Sequence, residues 1–201
     1  MWAYISHMTK HIIHVVGPDG AGKSTILRSL QDVYPATYIK EPYHPHIIDQ
    51  INATSSIFDK INLFAQDRHL LYKSLKFDST IISDRSFICS LVYQSLELES
   101  QHWPSFMAIK HIYQAQYNLI PPTMVIYIHA NPNVIYNRLQ GRDKSHHLTI
   151  DEIIHIQARY NYIFELFHIN VLPIDTSNTS LDNNVSKIIS HLQWFIPHTF
   201  I

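Results

Sequence analysis

Short β-branched runs alternate with longer stretches of helical periodicity along the whole chain. Ile12, Ile13, Val15 and Val16 read as a buried strand, as do Thr37-Tyr38-Ile39, Thr80 to Ser83, Met124 to Ile128, and Val171 to Ile174. Between them the spacing predicts helices over about 22–33, 58–77, 86–98, 104–118, 131–141, 150–167 and 181–195. The first of these stops at Tyr34-Pro35, because a residue before proline is pushed out of the helical region. The stretch Lys40-Glu41-Pro42-Tyr43-His44-Pro45, with two prolines, reads as a loop at the carboxyl end of a strand. Neither a repeat nor a linker interrupts the alternation. The expected fold is one α/β domain, 1–201 with its core at about 11–195: a five-stranded parallel sheet covered by helices on both faces.

One break in the pattern carries chemistry. Between the first strand and the first helix stands Gly17-Pro18-Asp19-Gly20-Ala21-Gly22-Lys23-Ser24-Thr25, which is G-x-x-x-x-G-K-[ST] between a strand and a helix. Its glycines let backbone N–H groups wrap a polyphosphate, and the helix N-terminus adds partial positive charge. Lys23 can reach the outer phosphates, and the Ser24 hydroxyl suits a magnesium ion. The motif points to a nucleoside triphosphate, with ATP and Mg²⁺ as the expected cofactors. It places the chain among the three-layer P-loop NTPase sandwiches.

Further polar residues sit where apolar ones belong. Ile61, Phe64, Leu71 and Leu75 form a helical stripe, and Arg68 falls at the position the stripe leaves open. Such an arginine either snorkels to the surface along its own stem or lines a pocket and meets an anion or carbonyl. Asp84-Arg85 directly follow the third strand. An acidic residue there is the usual second support for magnesium beside a phosphate loop, or else simply a helix N-cap. Cys89 and Tyr93 share a helix face by i,i+4 spacing. Arg138, Arg142 and Lys144 cluster beside His146-His147, at a place suited to a short mobile lid over about 138–149.

Composition narrows the partners. The net charge of -1 disfavours a bulk electrostatic grip on nucleic acid. One cysteine excludes an internal disulfide and fits a reducing, cytoplasmic setting. The opening MWAYISHMTK lacks the apolar core of a signal peptide, and no apolar segment approaches a membrane span. Of the 15 histidines, His11 and His14 lie in the first strand and His146-His147 are adjacent, so neither pair has helical i,i+4 ligand spacing; no cysteine partners them, and structural zinc is not expected.

Three stretches together resemble the thymidylate kinase family: Gly17 to Thr25, then Leu63-Phe64-Ala65-Gln66-Asp67-Arg68, then Asp84-Arg85 followed after seven residues by Tyr93-Gln94. The resemblance spans about 11–195. It implies that Phe64 stacks on the acceptor base and that Arg68 bonds the base or its phosphate. Arg85 holds the acceptor phosphate, Ser90 lies near the base, and Tyr93 packs where a 2′-hydroxyl would sit. Asp19 helps position the acceptor phosphate or the metal. Gly20 lacks the basic side chain some members carry in this loop, which passes the catalytic cation to the lid, with Arg142 the candidate beside Arg138 or Lys144. Leu172-Pro173-Ile174-Asp175 resembles the family's last strand, whose following loop receives adenine. Family members are commonly homodimers through their helices.

The chain departs from the family at Lys40 to Pro45, where Arg-Glu-Pro-Gly-Gly-Thr is common, and at Cys89, where serine is common. The expected activity is transfer of phosphoryl from ATP to a deoxynucleoside monophosphate, foremost dTMP. A related kinase of a deoxynucleoside or modified pyrimidine nucleotide is the second reading. A nucleotide-binding protein without catalysis is the third.

Overall fold

A computed structural model describes residues 11–75, 79–116, 121–141 and 148–195. The expected candidates Arg142 and Lys144, most of the lid, and the end of the 104–118 helix lie outside them. The five strands are β1 (Ile12–Val16), β2 (Thr37–Lys40), β3 (Ile81–Asp84), β4 (Met124–His129) and β5 (Val171–Asp175). They form one parallel sheet in the order β2-β3-β1-β4-β5. The expected α/β sandwich is therefore present.

Alternation along β1 splits the core into two layers. Ile13 and Val15 face α1 (Lys23–Val33), α6 (Pro132–Gln140) and α8 (Leu181–Phe195). Val16 faces the other side, with α3 (Ile57–Ser74), α4 (Phe87–Ser100), α5 (Ser105–Ala115) and α7 (Ile150–Leu166). A smaller cluster of Ile12, Ile39, Leu71, Tyr72 and Ile81 closes the β2 edge beneath α3. Because every strand is parallel, all five carboxyl ends meet at one rim, and the order reverses beside β1. Ligands of open α/β sheets bind at that switch point.

One local reading changes: Pro45 does not merely end a loop, it opens α2 (Pro45–Ala53) from the first helical position. Proline has the right φ there and loses no hydrogen bond, so the residue that breaks a helix interior starts one. At the end of α6, Gly141 is the C-cap residue and lies in the right-handed region.

His14 is the odd residue of β1. It is 1% exposed, lies edge-on to Phe87 at 6.1 Å, and has Nε2 3.1 Å from the Tyr72 hydroxyl. Burial, helped by the nearby Arg68 charge, pushes its imidazole from 6.5 down to about 3. The unfolded chain thus binds a proton below pH 6.5 that the folded chain refuses, so stability falls as pH drops through that window. Between pH 7 and pH 5 the loss from this one group is about 2 kcal/mol. Urea unfolding at both pH values should show His14→Val losing about 2 kcal/mol less than wild type. Equal losses would refute the neutral buried state.

Candidate active site

The phosphate loop leaves β1 through Gly17, whose φ of 146 is open to glycine alone. A Cβ there would lie 2.0 Å from the Ile128 carbonyl oxygen of β4, so the loop can hug the sheet only with glycine in place. Gly22 begins α1 at φ 101, and no side chain caps that helix N-terminus. Its first-turn N–H groups and the dipole behind them are therefore available to an anion. Ser24 and Thr25 stand exposed on this turn.

Lys23 is 7% exposed and folds over the loop that precedes it. Its Nζ donates to the carbonyls of Gly17 at 2.8 Å and Pro18 at 2.9 Å, and approaches Asp19 Oδ1 at 3.4 Å. Burial pushes the ammonium below the ordinary lysine range, and the Asp19 carboxylate opposes that push. The same Asp19 oxygen accepts from Arg85 Nη2 at 3.1 Å. Asp19 thus links the donor cation to the cation after β3. Its own N–H donates to the Tyr93 hydroxyl at 3.2 Å.

Asp84 ends β3 in register with Val15, beside the phosphate loop. It does not cap α4; Ser86 does, accepting from the Ile88 N–H at 3.2 Å. The N-cap reading of Asp84 is thereby removed. Arg85 sits between them at φ 77, a left-handed conformation rare outside glycine and costing about 1–3 kcal/mol. Hydrogen bonds from its N–H to Val15 O and from Ser83 Oγ to its carbonyl hold it there.

The side chains named for the acceptor come together. Phe64, Arg68, Arg85, Ser90 and Tyr93 all line one cavity of about 100 Å³, with Glu41, Ser86, Cys89 and Gln94. Arg68 does not snorkel: it is 5% exposed. Its Nε donates to Glu41 Oε2 at 2.6 Å, Nη1 to Gln116 Oε1 at 2.9 Å, and Nη2 to Ser90 Oγ at 2.7 Å and Ser86 O at 3.2 Å. The guanidinium carbon stands 5.7 Å from the Phe64 ring centroid. Burial pushes the Glu41 carboxyl above the ordinary glutamate range, while the Arg68 charge works against it.

Two members of this cavity had no role in the sequence reading. Glu41, between a strand end and a proline, is the buried counter-ion of Arg68. Gln94 is 5% exposed, and both its Nε2 and Oε1 lack a partner among the described residues. A buried amide without partners is costly, so its presence in a pocket points to a ligand that satisfies it. A lone glutamine on the apolar helix α4 was the available signal.

On the other flank of the phosphate loop a cavity of about 270 Å³ is lined by Gly20, Gly22, Thr25, Ile26, Arg138, Thr176, Thr179, Leu181 and Asn184. Arg138 lines this cavity and donates to Thr176 Oγ1 at 2.9 Å and Thr176 O at 2.7 Å. Thr176 in turn donates to Ala21 O at 2.7 Å, tying the loop after β5 to the phosphate loop. A larger open groove of about 910 Å³ runs between α7 and the β4–β5 face. Its lining has no lysine or arginine but includes Glu165 and Asp175, so it is unsuited to polyphosphate.

The rim therefore carries one phosphate loop flanked by two pockets, the arrangement needed to hold a donor and an acceptor in line. Residues 15–188 match the family model for thymidylate kinase. A probable thymidylate kinase of Picrophilus torridus is 27% identical over 187 residues, covering 87% of this chain and 91% of that protein. The solved thymidylate kinase of Candida albicans superposes with a TM-score of 0.75 at 19% identity, covering 94% of this chain and 93% of the other. A deoxyadenosine kinase from M. mycoides shares the fold with a TM-score of 0.69 at 17% identity, covering 91% and 98%. Among the described residues no helix is long and apolar enough to cross a membrane.

Proposed function

The chain belongs to the thymidylate kinase family and is a nucleotide phosphotransferase, and from that premise we propose the reaction ATP + dTMP = ADP + dTDP. The observation that carries the choice of acceptor is the chemistry of the small pocket. Arg68 offers only donors, so it selects the 4-keto group of a thymine over the 4-amino group of a cytosine. Gln94 offers one donor and one acceptor group, which matches the adjacent N–H and carbonyl of the same base. Phe64 stacks on the ring, Ser90 steadies the arginine fork, and Tyr93 packs against the deoxyribose.

On the donor side the phosphate loop and the first turn of α1, together Gly17 through Thr25, wrap the polyphosphate, and Lys23 meets its outer oxygens. Adenine lies over Arg138 and Thr176 in the neighbouring cavity. Arg85 holds the acceptor phosphate, and Asp19 keeps that cation at a fixed distance from Lys23. Arg142 supplies a further cation from the lid. Ser24 and Asp84 are hard oxygen donors beside the loop, and they suit magnesium, which takes few protein ligands besides phosphate oxygens. When bound, magnesium neutralises charge on the migrating phosphoryl group. On the same reading the protein works as a homodimer in the cytoplasm.

One observation favours the second acceptor class. The backbone N–H groups of Tyr43 and His44 both donate to the buried Asp67 carboxylate at 2.8 Å, and His44 Nδ1 lies 2.8 Å from it as well. These amides are engaged by a side chain, where a glycine-rich loop would offer them to an acceptor phosphate. A nucleoside, which carries no phosphate, needs none of these contacts. The test is a panel of ATP with dTMP, dUMP, dCMP, dAMP, dGMP and thymidine. Fastest turnover of dTMP is expected; thymidine as the preferred acceptor selects the second class, and no turnover of any member refutes the kinase assignment.

A further inference from the structure

The hydrogen bonds that hold Arg68 continue behind it into the sheet. Arg68 Nε donates to Glu41 Oε2 at 2.6 Å, and the Tyr72 hydroxyl donates to Glu41 Oε1 at 3.2 Å. His14 Nε2 lies 3.1 Å from that same hydroxyl. The Tyr72 proton is directed at Glu41, so its oxygen accepts, which assigns the His14 proton to Nε2. The row runs from β1 through α3 to the residue after β2, and every member is buried.

As packing alone, this row is a poor choice. A phenylalanine at 72 and a valine at 14 would fill similar space without any polar group to satisfy. His14 Nδ1 lacks a partner among the described residues, so the histidine carries a cost that valine would not. The row does constrain a rotation. A carboxylate with one partner can turn about its terminal bond; with Tyr72 on Oε1 the plane of the group is held, and Oε2 faces the guanidinium. That fixes Nε, and with it the directions of Nη1 and Nη2 toward Gln116, Ser86 and Ser90. The imidazole stays neutral in this setting and does not compete with Arg68 for the carboxylate.

We infer that Tyr72 and His14 are positioning residues: the row His14–Tyr72–Glu41 sets the rotation of the Arg68 guanidinium and so the acceptor-base atoms that it meets. This rests on Arg68 facing the acceptor base, as proposed above. Neither residue touches the acceptor pocket itself. Their effect is transmitted through Glu41, and it belongs to binding and selectivity rather than to phosphoryl transfer.

The experiment compares Tyr72→Phe and His14→Val with wild type by steady-state kinetics and by the Nε–H nuclear magnetic resonance signal of Arg68, assigned through its loss in Arg68→Lys. Tyr72→Phe should raise the acceptor KM about tenfold, the size expected for losing one hydrogen bond to a charged group. Its kcat and ATP KM should stay within about twofold of wild type. His14→Val should move both readouts in the same direction by less. In an Arg68→Lys background the Tyr72→Phe penalty should vanish, because the lysine has no fork to orient.

An unchanged Arg68 signal in both variants overturns the inference, whatever the kinetics. So does an acceptor KM that stays at the wild-type value in an active enzyme, or a penalty that persists in full with Lys at position 68. If wild type turns over none of the acceptors, the kinase assignment falls instead, and the resonance still reads the row. His14→Val approaches the row from the far end, so the inference does not depend on one variant folding.

Discussion

Replacing Lys23 by alanine is expected to lower kcat by about three orders of magnitude or more, the scale of losing a cation that meets transition-state charge in phosphoryl transfer. The reason lies in where the ammonium is held. Its Nζ sits over the loop carbonyls of Gly17 and Pro18 and beside the Asp19 carboxylate, which also pairs with Arg85. Alanine therefore removes a charge and also loosens the link that spaces it from Arg85. Arginine at the same place would not substitute, since its planar fork cannot fit a site shaped around a point charge. The measurement is single-turnover transfer from ATP at saturating acceptor, with thermal unfolding alongside. A variant that folds like wild type and retains turnover within tenfold would remove Lys23 from the reaction.

Arg68→Ala should have the second largest effect, and it should appear in two quantities at once. Glu41 is 2% exposed, and without the guanidinium it is a buried carboxylate left with the Tyr72 hydroxyl. Breaking one side of a buried ion pair costs about 3–5 kcal/mol of stability. On the proposed reading the acceptor KM should rise as well, because the pocket loses the guanidinium assigned to the base. Adding Glu41→Gln separates these: the double variant recovers part of the stability, since the uncompensated charge is gone, but not the acceptor affinity. Urea unfolding and acceptor kinetics on both variants provide the check. A loss under about 1 kcal/mol for the single variant would mean that Glu41 is solvated or neutral rather than paired.

Many of the candidate residues are legible in the sequence because their signals are local. The phosphate loop needs its glycines, lysine and hydroxyl within nine consecutive residues, so its chemistry is written in one stretch. Asp84-Arg85 and Tyr93-Gln94 belong to one strand–helix junction, where helical spacing already places Cys89 and Tyr93 on one face. Phe64 and Arg68 are one turn apart on α3, and they line one cavity with Arg85, Cys89, Tyr93 and Gln94. The helix α2 was less legible, because a proline in sequence looks the same whether it ends a loop or opens a helix.

What the sequence determined by itself was the alternation of strands and helices, the five-stranded parallel sheet, the phosphate loop at its rim, and the family to which the three motifs belong. Periodicity could say that Arg68 interrupts an apolar stripe, yet it could not say what meets it. That answer required Glu41, 27 positions earlier in the chain, and Tyr72 and His14 behind it. Only the tertiary structure also decided that Ser86 rather than Asp84 caps α4, that Arg138 bonds Thr176 beside the phosphate loop, and that the Gln94 amide lacks a partner among the described residues. The physical reason is the same in each case. A motif is encoded by residues that are neighbours along the chain, whereas the partner of a buried polar group is chosen by packing, which brings together residues that local spacing cannot relate.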